Sequence, residues 1–294
     1  MAHGFEAKFN AVLEVLLPAL TTLVCLLLLL NTYIIGQQNI QLRPSLRIYL
    51  NLLAIDFVTV IGGVALTIHL YCKWGFASKV IDNSNWITFY NNVILFLCLA
   101  VVRILIMRGY LQSDGTRVAL TMIAIPWLIT FLIITINNTT SFPDYTKYPR
   151  PSAILSLLIL VVGISTLVMN LYIVAVTIYT RINLRAQASA NLTAILLFTN
   201  HFLCSLYPLT VNGYFLCLYF TGGDCKDPDN IYHWSNFFIC TKSGSDGLEL
   251  VLLLVQAVGN NVIMLLHKNS RTTLKILWQR TICSGSSDEV NVFV

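Results

Sequence analysis

Charge is scarce in this chain. Asp, Glu, Lys and Arg together make up 11% of its 294 residues, where a soluble domain carries about a quarter. Hydrophobic residues make up 56% and the mean hydropathy is +0.74. Folding in water would leave much of that apolar surface uncovered, whereas lipid solvates it directly. Catalytic signatures are also missing: there is no Gly-rich phosphate loop, no His-Glu-x-x-His and no His/Cys/carboxylate metal spacing. The chain therefore does not read as an enzyme. Its net charge of +5 comes without a basic tract interleaved with aromatics, which argues against nucleic-acid binding. No internal repeat is visible, which weakens a transporter built from duplicated halves. No cleavable signal peptide is recognised either. The first apolar run exceeds a signal core of about 7–15 residues and reads as an anchor that stays.

What is present is a series of long apolar runs. A helix needs about 20 apolar residues to cross a bilayer, and seven runs meet that need: 11–35, 46–71, 84–108, 116–136, 151–181, 189–220 and 245–267. The expected fold is an all-α membrane protein, a seven-transmembrane helix bundle. Residues 1–280 form that domain, with a short amphipathic eighth helix, and 281–294 form a short tail. One set of connections and the tail carry ten cations: Arg43, Arg47, Arg108, Arg117, Arg181, Arg185, Lys268, Arg271, Lys275 and Arg280. The other side has seven, diluted by a similar number of acids. The positive-inside rule then sets the N-terminus outside and the C-terminus in the cytoplasm.

Ionisable groups within the runs are few: Asp56, Arg103, His201 and Glu249. Such groups face the bundle interior and mark function more often than apolar positions do. Amides accompany them at Asn31, Asn51, Asn92, Asn170, Asn200, Gln256, Asn260 and Asn261. An isolated Asn is read as interhelical glue. Asp56 is read as functional, because a lone buried carboxylate needs a cation, a proton or several donors. His201 is read as a packed, hydrogen-bonded interior residue.

The order and spacing of these residues resemble the rhodopsin-like (class A) G-protein-coupled receptors over nearly the whole chain. Asn31 stands where the family keeps an Asn, and Asn51-Leu52-Leu53-Ala54-Ile55-Asp56 is similar to its Asn-Leu-Ala-x-x-Asp. Trp74-Gly75-Phe76, Trp127, the Phe202–Pro208 spacing and Asn260-Asn261-Val262-Ile263-Met264 follow in family order. Arg103, 24 residues before Trp127, fits the family's arginine at the inner end of the third span better than Arg108, 19 before it. The family acid beside that arginine is replaced by Val102, the toggle Trp by Leu206 and the seventh-span Pro by Asn261. The family disulfide between the third span and the loop that follows the fourth is absent. Such erosion resembles orphan, chemosensory or virus-encoded receptors.

The resemblance implies a plasma-membrane receptor that converts an extracellular stimulus into a helix rearrangement for a heterotrimeric G protein. Ligand-independent activity is part of that expectation. Arg103 and Arg108 would serve coupling, and Asn85, Phe89, Tyr214 and Glu249 would line the pocket for an extracellular ligand. Asp56, Asn92, Gln256 and Asn260 would form a sodium site, the one cofactor implied. Leu254 in place of the opsin Lys excludes a retinal Schiff base, and Asn85 cannot pair with an ammonium. The alternatives are a seven-span transporter or channel, and a signalling-silent partner of another receptor. Among the outward cysteines, Cys225–Cys240 is the expected disulfide and Cys72–Cys225 the alternative. Leu274, Leu277 and Trp278 give the eighth helix an apolar stripe against lipid, and Cys283 is a candidate for palmitoylation.

The topology assigns Asn137 or Asn138, in the sequons Asn137-Asn138-Thr139 and Asn138-Thr139-Thr140, to the glycosylated side and Asn191 to the other. Expressed in mammalian cells, the Asn137→Gln/Asn138→Gln protein is expected to lose a glycan, while Asn191→Gln leaves mobility on a gel unchanged. A glycan lost only with Asn191→Gln inverts the topology.

Overall fold

The computed structural model describes residues 2–37, 44–73, 75–110, 116–139, 153–180, 188–221 and 242–283. Among them it is entirely helical, with eight helices in chain order. These are α1 (Ala2–Gly36), α2 (Pro44–Cys72), α3 (Gly75–Met107), α4 (Thr116–Thr139), α5 (Ala153–Thr180), α6 (Ala188–Thr221), α7 (Lys242–Leu266) and α8 (Lys268–Cys283). Five of them, α1, α2, α3, α5 and α7, contain stretches long and apolar enough to cross a membrane. α4 contributes the shorter apolar stretch Ile123–Thr135. α6 is long, but its apolar run is interrupted by Asn200, His201, Ser205, Pro208 and Asn212.

Many large apolar side chains face outward, while a set of polar ones is buried within the bundle. Leu26 and Leu29 on α1, Leu128 and Leu132 on α4, and Ile164 and Val168 on α5 are exposed. Asn31, Asp56, Asn92, His201, Gln256, Asn260 and Asn261 are buried. Lipid is the only solvent that rewards this arrangement, since polar side chains without water must find one another. The architecture is that of a helical membrane protein.

Contacts between named residues fix the helix directions. Thr59 meets Thr88 while Gly62 meets Ser84, so α2 and α3 run antiparallel. Tyr71 donates to the Glu14 carbonyl while Gly63 abuts Thr21, so α1 and α2 do likewise. Gly163 lies against Leu209 and Gly213 faces Leu160, which makes α5 and α6 antiparallel. Gly247 sits against Leu13 and Asn261 bonds Asn31, so α1 and α7 run parallel. α3 packs on α2, α4, α5 and α7, and α7 closes onto α1. The result is a closed ring of helices with α3 toward its middle.

Glycines permit two of these approaches. A Cβ at Gly63 would stand 2.5 Å from Thr21 Oγ1, and one at Gly62 would stand 3.0 Å from Ser84 Cβ. The Gly62-Gly63 pair therefore does not interrupt α2, which is continuous through both residues. Pro126 and Pro208 likewise sit inside α4 and α6. Asn212 Nδ2 donates back to the Pro208 carbonyl at 2.7 Å.

The core divides into three apolar groups. One joins α1, α2 and α7 through Leu17, Val24, Leu53, Leu254 and Met264. A second places Leu52, Ile55, Leu95, Phe96, Leu197 and Phe198 against Trp127. The third gathers Phe89, Tyr90, Val93 and Ile159. Trp127 also donates its indole N–H to Asn51 Oδ1 at 2.6 Å, tying α4 to α2.

That bond generates a stability prediction. Trp127→Phe leaves Asn51 Oδ1 buried without its donor and is expected to cost about 1 kcal/mol. Asn51→Leu in the same protein removes the orphaned group and should recover part of the loss. Thermal unfolding in detergent measures both. Additive losses in the double variant would contradict the pairing.

Candidate functional site

The buried carboxylate of Asp56 lies on α2 in apolar surroundings, where water cannot solvate it. Two consecutive residues of α7 do so instead. Asn261 Nδ2 donates to Asp56 Oδ2 at 2.8 Å, and Asn260 Nδ2 donates to Asp56 Oδ1 at 3.3 Å. Neighbours on an α-helix diverge by about 100°, so both amides reach one carboxylate only because it sits between their directions. Asn261 Nδ2 is shared with the Ala257 carbonyl at 2.8 Å.

Each amide oxygen is used elsewhere. Asn31 Nδ2 on α1 donates to Asn261 Oδ1 at 2.8 Å and to the Asn261 carbonyl at 3.2 Å. Asn200 Nδ2 on α6 donates to Asn260 Oδ1 at 3.0 Å and to the Gln256 carbonyl at 2.8 Å. The chain of bonds thus runs inward from α1 and α6, through α7, to the carboxylate on α2. The partners set each amide's orientation. Turning Asn261 over would set oxygen against carboxylate and nitrogen against the Asn31 donor.

A second polar group lies next along α6 and α7. Gln256 Nε2 lies 3.1 Å from His201 Nδ1, and Ser205 Oγ lies 3.3 Å from the same nitrogen. An amide N–H can only donate, so His201 Nδ1 accepts and its proton resides on Nε2. The imidazole stacks on Phe96 of α3 with ring centroids 4.4 Å apart. This side chain therefore joins α3, α6 and α7 at one level of the bundle. Leu206, at the position the family gives its toggle Trp, is 43% exposed and faces away from this interior.

The residues grouped from sequence as a sodium site are arranged differently from a ring of oxygens. Asn260 turns its nitrogen to Asp56, and Gln256 turns its amide to His201. Asn92 is buried on α3 with Oδ1 lacking a protein partner. A hard cation requires several converging oxygens, whereas Asn260 and Asn261 present nitrogens to Asp56. Among the described residues no group of three His, Cys, Asp or Glu side chains gathers as a metal centre.

The expected pocket residues are distributed over three helices. Asn85 and Phe89 lie one turn apart on α3, both buried, and Asn85 Oδ1 lacks a protein partner. Phe89 packs within the third apolar group, its ring 5.7 Å from that of Tyr90. Tyr214 is partly buried on α6 and Glu249 is buried on α7.

At the opposite end of α3, Arg103 lies within the helix and its side chain is outside the described residues. Arg108 Nη2 donates to Tyr172 Oη at 3.2 Å, linking the end of α3 to α5. Asn137 and Asn138 fall in the last turn of α4, one and two residues beyond the expected end of that span, because the helix continues to Thr139. Cys283 is the final residue of α8. Cys225 and Cys240 lie outside the described residues, and no disulfide is present among the described ones. Cys72 ends α2 as an exposed free thiol.

Sequence reasoning noted Asn261 among the interior amides and as the residue replacing Pro, but grouped neither it nor Asn200 nor Gly259 with Asp56. The adjacent Gly259-Asn260-Asn261 was the available signal: a residue without a side chain beside two amides marks close approach by another helix. No family model matches this chain, and no curated protein matches it.

The geometry ranks the amides. Asn261→Ala strips donors from Asp56 and an acceptor from Asn31, and is expected to cost about 2 kcal/mol or more. Asn92→Leu removes an oxygen that has no protein partner and is expected to be close to neutral. Thermal unfolding of the two variants in detergent tests this order, and equal losses would refute it.

Proposed function

We propose that this protein is a divergent rhodopsin-like receptor. It spans the plasma membrane seven times, with its N-terminus extracellular and its C-terminus cytoplasmic. An extracellular stimulus rearranges helices at the inner face to admit a heterotrimeric G protein. One observation carries the reading. Asn31, Asp56 and Asn260-Asn261 were aligned by order and spacing alone, from three separate runs, and they converge in one buried cluster. That meeting is what the family's spacing leads one to expect, and it supports the reading. The parallel course of α1 and α7 supports an odd number of crossings, as seven requires.

The inner end of α3 is where coupling is proposed. Arg103 stands beside Val102, which cannot hold it ionically. Arg108, one turn later, is engaged with Tyr172 on α5. A missing ion pair shifts a two-state equilibrium toward the open form, each 1.4 kcal/mol being about tenfold. The protein is therefore proposed to signal without ligand. A transporter or channel remains the rival class. The amides around Asp56 point donors inward and spend their oxygens on other helices, which does not favour a cation path.

Basal G-protein turnover at matched surface expression tests the reading, with ion flux recorded in the same cells. The unmodified protein is expected to show basal turnover and no flux. Val102→Asp should reduce that turnover several-fold, and Arg103→Ala should abolish it. Turnover unchanged by Arg103→Ala moves the assignment to Arg108. Flux without turnover replaces the receptor by a transporter or channel.

A further inference from the structure

Asn200 and Gly259 meet where α6 crosses α7. A Cβ built on Gly259 would fall on the Asn200 amide, colliding with its Oδ1, Nδ2 and Cγ. Position 259 therefore tolerates nothing larger than glycine while Asn200 occupies its present place. From that seat Asn200 Nδ2 reaches both the Gln256 carbonyl at 2.8 Å and Asn260 Oδ1 at 3.0 Å. Binding the oxygen of Asn260 forces the nitrogen of the same amide toward Asp56, where it donates. Asn200 does not touch the carboxylate, yet it determines which atom of Asn260 does.

We propose that Asn200, seated on Gly259, is a positioning residue that holds the Asp56 cluster in a donor-facing form and latches α6 to α7. The inference deepens the reading of the same cluster given above. Its physical content is an exclusion. A cation at Asp56 needs at least one flanking amide oxygen, that of Asn260 or that of Asn261, turned inward beside the carboxylate. Turning Asn260 sets its nitrogen against the Asn200 donor and breaks the α6–α7 bond. Turning Asn261 breaks the bond from Asn31 on α1. With Asn200 in place, the cluster therefore resists sodium. Without it, Asn260 is free to turn, the site accepts a cation, and α6 loses this bond to α7 while the His201–Gln256 contact remains.

Trp127 packs at Leu95 and Phe96 and Ile133 at Phe89 and Val93, so α4 is antiparallel to α3; Ile263 packs at Leu197 and Phe198 and Gln256 meets His201, so α6 is antiparallel to α7. With α1, α3 and α7 sharing one direction, α4 and α6 share the other. Leu120 and Leu192 are thus at the same end of the bundle, and both are exposed. Spin labels there report displacement of the start of α6. The full-length chain in detergent is compared with Asn200→Ala and with Gly259→Ala, which displaces the Asn200 side chain by bulk while keeping it. Each is measured in NaCl and in choline chloride.

The unmodified chain is expected to show the same label distance and the same unfolding temperature in both salts. Asn200→Ala and Gly259→Ala should each broaden or lengthen the label distance. In each, NaCl should raise the unfolding temperature by about 3 °C over choline. Asp56→Asn added to Asn200→Ala should remove that increment. A purely structural role for Asn200 would lower stability equally in both salts, and that result overturns the proposal. A sodium increment already present in the unmodified chain also overturns it. Neither readout depends on G-protein coupling, so the latch and the receptor assignment stand or fall separately.

Discussion

A carboxylate held out of water must be solvated by the protein, and most of the interior polar architecture follows from Asp56. Asp56 is buried, and none of the described bonds to its carboxylate comes from a cation. Amide donors are the remaining means of solvation. Two come from α7, and their own oxygens must then be satisfied by α1 and α6. The demand of one buried group thereby propagates to four helices. This is a stringent form of membrane-protein packing, because apolar side chains facing lipid contribute little to holding helices together.

The cluster also explains the close approaches around it. Asn200 can reach Asn260 only because residue 259 has no side chain. α1 can lie against α2 near Thr21 only because Gly63 has none. Small residues and polar bonds cooperate here: the first permits backbones to approach, and the second makes the approach favourable. His201 continues the pattern one level further along, pairing with Gln256 and stacking on Phe96 so that α3 joins the network. In a bundle linked in this way, turning one amide would oblige its neighbours to turn.

The positions at which the chain departs from the rhodopsin-like pattern its sequence resembles can be read physically in this frame. Asn261 stands where the family has proline, and it supplies what proline cannot: a side-chain donor to Asp56 and an acceptor for Asn31. Leu206 faces outward, whereas His201 fills the interior beside Phe96. The helix-to-helix contact expected of a large aromatic is made here by an imidazole one and a half turns away.

Residue chemistry and linear spacing were enough to establish some things about this protein. Scarce charge and long apolar runs dictate helices in lipid, because an unpaired backbone is intolerable there. Arg and Lys at one set of helix ends set an expected orientation, and a lone Asp within an apolar run announces a buried polar site. Which amide turns which atom toward that Asp was not legible. Gln256, Asn92 and Asn260 look equivalent along the chain, since each is an oxygen-bearing residue at a plausible level. Only the packed helices distinguish them: Gln256 is turned to His201, Asn92 lacks a protein partner for its oxygen, and Asn260 is oriented by Asn200. The reason is directional. Hydrophobic burial depends on composition and periodicity, which a sequence displays, whereas a hydrogen bond depends on the relative rotation of two helices, which exists only once they have packed.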